Sequence, residues 1–273
     1  MTDHAWTRLE VQILVFSGTA AYRHASIPTA IEAIERLCAQ SIETERPGEF
    51  PRVPLRAVFS ENPKDFTNQP LANYKVIVFL QSSGEFFTSP NQLDALKEFV
   101  RSGGGVVGIH CASFAMESSE WYGKLMGAVF HSHPEPQLGQ IQITDPSHPI
   151  TMDSVARGCA TGQIQRNPKK RTIEGAPKLE CGQWEWFDEW YLFKQSAEEI
   201  NENVHVLMTG GVHGKDYPLA WCQEFEGGRS FYTSLGHFDE AYENKIFLDQ
   251  LVNGILWATG VKWDECCFDV STG

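Results

Sequence analysis

The sequence predicts an α/β fold: an open parallel sheet with helices on both faces and antiparallel additions in its second half. Three patterns predict it. Short apolar runs end in small residues, and segments of helical spacing separate them. Beyond about residue 135, strand-like runs follow one another with few helices between.

"VQILVFSG" (11–18) is a short apolar run and predicts a buried parallel strand. Ile31, Ile34 and Leu37 then recur at helical spacing, with Pro28 in the first turn, so a helix follows. "LRAVFS" (55–60) and "YKVIVFLQSSG" (74–84) predict the second and third strands. "SPNQLDALKEFVRSGGG" (89–105) has Ser89 as its N-cap, an apolar stripe of Leu93, Leu96 and Phe99/Val100, and a glycine stop. "VVGIH" predicts strand four. "LGQIQIT", "NVHVLMTG", "YPLAWCQEF" and "RSFYTSLGH" predict the antiparallel additions, the last two joined by a hairpin turn at Glu226-Gly227-Gly228. "EAYENKIFLDQLVNGILWATG" predicts one closing helix that stops at Gly260. The whole is expected to be a single domain over 9–262, with an irregular insertion at 155–183.

Acidic residues outnumber basic ones, 35 against 22, for a formal charge of −13. Such a surface repels phosphate backbones and anionic lipid, so neither nucleic acid nor membrane is an expected partner. "RNPKKR" (166–171) is expected to be a solvated loop. Seven cysteines at irregular spacing, including adjacent Cys266 and Cys267, suit reduced thiols rather than a disulfide framework. The first residues lack a basic segment followed by an apolar one, so cytoplasm is the expected location.

Ligands of open parallel sheets bind beyond the carboxyl ends of the strands. That rule gathers His24 after strand one, Gln81, Ser82 and Ser83 after strand three, His110 and Cys111 after strand four, and His237 before the last helix. Each histidine taken singly has a structural explanation, such as orienting a helix start. Jointly they point to a site. "VVGIHCAS" (106–113) resembles the sharp strand-to-helix turns that expose nucleophiles, and leaves His110 and Cys111 as alternatives. In "WEWFDEWYLF" (184–193), Asp188 and Glu189 sit within a dense aromatic run. That suits an aromatic strand with acids at an exposed turn, or a partly desolvated carboxylate whose raised pKa suits it to general acid or base work beside sugar-binding rings.

The segments "LVFSGTAAYRHASIPTAIEAI", "YKVIVFLQSSGEFFT", "FVRSGGGVVGIHCAS", "WYGKLMGAVFHSHP", "DEWYLF" and "PLAWCQEFEGGRSFYTSLGHFDEAY" occur in an order that resembles the trehalose-utilisation (ThuA-like) family. The resemblance spans about residues 11 to 260 and implies a flavodoxin-like, class I glutamine amidotransferase-like sheet. It implies site residues at His24, His110, His133, Asp188, Glu189 and His237. It also sets His110, not Cys111, at the relatives' nucleophile position, and makes Cys111 a small buried filler. The family pattern before "PLAW" makes His213 and Asp216 partial equivalents of an acidic, histidine-containing segment.

The resemblance implies a sugar or keto-glycoside substrate handled by hydrolysis, elimination or isomerisation. His110, Glu189 and His237 are the expected catalytic groups. His24, His133, Asp188, Tyr191 and Trp221 are the expected substrate-binding groups. His24, His110 and His237 alternatively hold a divalent metal ion, since three imidazoles with an open position form a catalytic centre. A non-catalytic sugar-binding or regulatory protein on the same scaffold is the alternative. Self-association into a homo-oligomer stays open.

Overall fold

A computed structural model describes residues 10–43, 54–154, 182–195, 199, 202–212 and 215–260. The anticipated insertion, the basic run at 166–171, His213 and the paired C-terminal cysteines lie outside the described residues, apart from 182 and 183.

The parallel half of the sheet comprises β1 (Val11–Phe16), β2 (Leu55–Ser60), β3 (Val76–Leu80) and β4 (Gly105–Ile109). Further along the chain come β5 (Phe130–Ser132), β6 (Gln137–Ile143), β7 (Gln183–Asp188) and β8 (Leu192–Phe193). The last three are β9 (His205–Gly211), β10 (Tyr217–Phe225) and β11 (Gly228–Thr233). Among the described residues the main sheet runs β2-β1-β3-β4-β11-β10-β9-β6-β7, and β5 pairs with β8 separately. β2, β1, β3, β4 and β11 are mutually parallel. β10, β9, β6 and β7 then alternate in direction.

β11 therefore does more than the sequence suggested. It closes a hairpin with β10 and is also the fifth parallel strand, seated against β4. Glu226 and Gly227 make that hairpin with φ of 46° and 94°, the two positive angles that a tight two-residue turn requires.

Apolar side chains alternate across β1. Ile13 and Val15 join α1 (Ile27–Glu43) and the closing helix α5 (Lys245–Ala258) on one face. Leu14 and Phe16 join α2 (Asn68–Leu71), α3 (Pro90–Arg101) and α4 (Glu120–Met126) on the other. Each fully buried Leu, Ile, Val or Phe contributes about 1.5–3 kcal/mol, so this two-sided core anchors the edge that carries the site. Ser89 is the N-cap of α3 as expected, and the Gln92 side chain accepts the Ser89 N–H at 3.0 Å. Gly127 ends α4 at φ 81°, and a Cβ there would meet the Trp221 indole at 2.4 Å.

The closing helix is shorter than its sequence pattern suggested. Residues 239–243 form a separate 3-10 turn, because the Asn244 side chain accepts the N–H groups of Ile246 and Phe247 and starts α5 afresh. No described helix is long and apolar enough to cross a membrane.

Candidate functional site

In the strand order β2-β1-β3-β4, the connections reverse direction beside β1, and the loops leaving the carboxyl ends there are where open sheets bind their ligands. The loop after β1 carries His24. It is tied down from β3's exit, where the Ala20 N–H donates to Ser83 O at 2.7 Å and Ser83 Oγ donates to Tyr22 O. Arg23 pairs with Glu61 at 2.6 Å on the outside. His24 itself is buried. Burial first, then the neighbouring His110 and His237, push its imidazole down to about 3, so it stays neutral and offers a lone pair at ordinary pH.

His110 follows β4 directly and has φ of 54°, a left-handed conformation that costs a non-glycine residue about 1–3 kcal/mol. It occupies the sharp turn anticipated in "VVGIHCAS". Ser234 O lies 2.7 Å from Nδ1 and can only accept, so Nδ1 carries the proton and Nε2 faces the site. The Tyr232 hydroxyl donates to the His110 carbonyl at 2.7 Å and holds the turn.

Cys111 turns inward. Its thiol donates to Gln81 O at 3.0 Å and lies 3.4 Å from His24 Nδ1. Burial pushes the thiol well above the usual range, opposite to what a nucleophile needs. Cys111→Ala is therefore expected to keep most activity, and mass spectrometry after iodoacetamide treatment of the native protein should find Cys111 unlabelled. Rapid labelling with parallel inactivation would contradict this.

His237 lies four residues beyond the end of β11, in a loop held from both sides. Ser26 Oγ donates to His237 O at 2.6 Å, and the Gln81 amide donates to Gly236 O. Gln81 also donates to Tyr242 Oη at 2.9 Å, from a backbone at φ 50°. From the opposite side Asp188 accepts the N–H groups of Gly236 at 3.0 Å and His237 at 3.3 Å. Gly236 sits at φ 109°, where a side chain would be strained.

Glu189 completes the cluster. Its Oε2 lies 3.3 Å from His110 Nε2 and 3.1 Å from His237 Nδ1, while Oε1 lies 3.5 Å from His133 Nε2. Burial alone would raise its pKa as the sequence suggested, but hydrogen bonding and charge attraction from His110 and His237 together outweigh burial and hold the carboxyl well below the usual range. One donor atom each from His24, His110, Glu189 and His237 lies within 4.8 Å of the others. An imidazole lone pair and a carboxylate oxygen do not sit this close without a proton or a cation between them.

The structure brings His24, His110, His133, Glu189 and His237 together, and it relocates three other expected residues. Asp188, expected to bind substrate, is 1% exposed with its oxygens committed to Trp186 Nε1, Glu189 N, Gly236 N and His237 N. No lone pair is left facing a sugar. Tyr191 is buried, with its hydroxyl 2.9 Å from His110 Nε2, so it orients that ring from within. Trp221 donates to Met126 O at 2.8 Å and packs on Tyr232 inside the α4 face of the core. Asp216 is exposed. Ser26 and Tyr242 escaped sequence reasoning. Ser26 had no signal beyond its place before Pro28, and Tyr242 was hidden by the apparent continuity of the last helix.

The sequence matches the ThuA family profile, described as trehalose utilisation, over residues 12–157 and 160–258. A search of curated proteins finds no match. Among solved structures, a ThuA-like protein from Bacteroides uniformis is 19% identical, with a TM-score of 0.65, covering 94% of this chain and 95% of that one. A ThuA-like protein from Parabacteroides merdae is 18% identical at TM-score 0.59, covering 92% and 90%. A cytoplasmic protein from Salmonella typhimurium is 12% identical at TM-score 0.52, covering 91% and 98%. At these identities the structures speak for the fold, and the profile match, which takes in nearly all of the sequence, speaks for the family: the chain belongs to the ThuA, trehalose-utilisation family.

Proposed function

We propose that this protein is a carbohydrate enzyme that acts on a keto-glycoside by acid–base chemistry at the His24, His110, Glu189 and His237 cluster. The observation that carries the reading is one donor atom from each of three imidazoles and one carboxylate lying within 4.8 Å of the others at the carboxyl edge of the sheet. The family's description, trehalose utilisation, supports a carbohydrate substrate, and the ketone is part of the proposal.

A ketone two carbons from the anomeric carbon acidifies the C–H bond between them. His237, supported through Nδ1 by the Glu189 carboxylate at 3.1 Å, takes that proton, and the electron pair moves onto the ketone oxygen. Collapse of the enolate expels the glycosidic oxygen, which takes a proton from His237. Addition of water to the resulting enone completes hydrolysis; without it the reaction is an elimination. Reprotonation of the enolate without bond cleavage is the isomerase outcome. His110, fixed through Nδ1 and Tyr191, is placed to donate to the developing oxyanion in its protonated form.

The same donor set fits a divalent cation. Bonds of about 2.0–2.2 Å put ligand atoms roughly 3–4 Å apart, close to the spacing here. His24, His110 and His237, with Glu189 as a fourth ligand, would hold it, and its chemistry when bound is polarisation of the ketone oxygen.

Elemental analysis of untagged protein, then NMR on a panel of keto-sugars, tests the reading. We expect conversion of at least one keto-glycoside, abolished in His110→Ala with the fold intact. Sugar binding without turnover across the panel would instead support a binding or regulatory protein.

A further inference from the structure

We propose that Tyr22 is a stacking platform for the sugar ring joined to the one that sits over the histidines; this rests on the carbohydrate reading above. Tyr22 is 62% exposed, and among the described residues the other exposed large hydrophobic side chain is Met152 at 45%. A single exposed aromatic is ordinary on a protein surface. Two observations set this one apart.

The first is its position. The Tyr22 ring stands edge-on to the His24 imidazole, with centroids 4.7 Å apart. His24 in turn is 4.7 Å from His110 and 4.9 Å from His237. Only the width of one imidazole separates an exposed aromatic ring from the reacting groups. A sugar ring over the histidines would place its glycosidic neighbour against Tyr22.

The second is that the loop is built stiff. Ser83 Oγ holds the carbonyl of Tyr22 itself, Ser83 O accepts from Ala20 N, and Arg23 is anchored to Glu61 and to Ser17 O. A Cβ on Gly84 would meet Ala21 at 2.8 Å, so β3's exit packs directly against the loop. A flexible loop would pay the entropy of ordering at each binding event, whereas a pinned one presents its ring already placed. Tyrosine suits the task, being rigid and apolar on its faces with a polar hydroxyl at its tip. The walls nearer the chemistry are imidazole and carboxylate, which suit the ring that reacts.

The test uses the full chain and two pairs of probes: trehalose with methyl glucoside for binding by calorimetry, and their keto forms for turnover. We expect wild type to favour the disaccharide. Tyr22→Ala should weaken disaccharide binding about tenfold and leave the single-ring probe within about twofold. Tyr22→Phe should behave like wild type, since the ring faces are kept. Equal losses on both probes would mean that Tyr22 acts through His24, and no loss on either would mean that it touches no sugar. Either result overturns the proposal, as does a wild type that binds neither sugar, or a Tyr22→Ala chain whose only change is its association state. Binding that depends on Tyr22 in a chain with no turnover would uphold the platform and fail the enzyme reading.

Discussion

Glu189→Gln is expected to lower turnover about 10²- to 10⁴-fold while changing sugar affinity little. The substitution keeps volume and one acceptor oxygen but removes the negative charge beside His110 and His237. Oε2 stands within 3.3 Å of both His110 and His237, so that charge is what favours a protonated histidine at the leaving oxygen. Initial rates on a converted keto-glycoside, with calorimetry on its unreactive parent, separate the two effects. A protein that only binds sugar would show changed affinity and have no turnover to lose. Unchanged turnover in Glu189→Gln would end the role assigned to this carboxylate.

Asp188→Ala is expected to cost about 3–5 kcal/mol of stability, a large share of the roughly 5–15 kcal/mol that holds a folded domain together. Adjacent residues of an extended segment face opposite ways, and from that rule alone Asp188 would serve as an inert control for Glu189. The structure gives it a different task. Four donors converge on its carboxylate: Trp186 Nε1 and the backbone N–H groups of Glu189, Gly236 and His237. Removing the acceptor orphans them in a buried place, each at about 1–3 kcal/mol if unrelaxed. Asp188→Asn keeps one acceptor but turns an amide against N–H groups, so an intermediate loss is expected. Urea unfolding of both variants measures it. A midpoint for Asp188→Ala indistinguishable from wild type would refute the assignment.

Strands β1, β3 and β4 were legible in the sequence because buried parallel strands are continuous apolar runs. His24, His110 and His237 were legible because an open sheet confines its chemistry to one edge, so their place after predicted strands sufficed. The Asp188–Glu189 pair was conspicuous, but its division of labour was not. That depends on β7 meeting the loop after β11, a contact no local pattern encodes. The core position of Trp221 was not legible because an aromatic in a family segment looks the same in sequence whether it lines a core or a site. The positive φ at Gln81 and His110 leaves no compositional trace, since neither is glycine.

The clamp around His237 has a bearing on how the chain matures. Ser26 reaches its carbonyl from 211 residues away, Gln81 reaches the adjacent one from 155, and Asp188 holds the facing N–H groups from 48 and 49. The groups meet only when the amino-terminal layers, the antiparallel wing and the last loop have all docked. A nascent or partly opened chain would therefore carry scattered imidazoles and no assembled centre. Assembly of the cluster is therefore an all-or-none property of the finished fold.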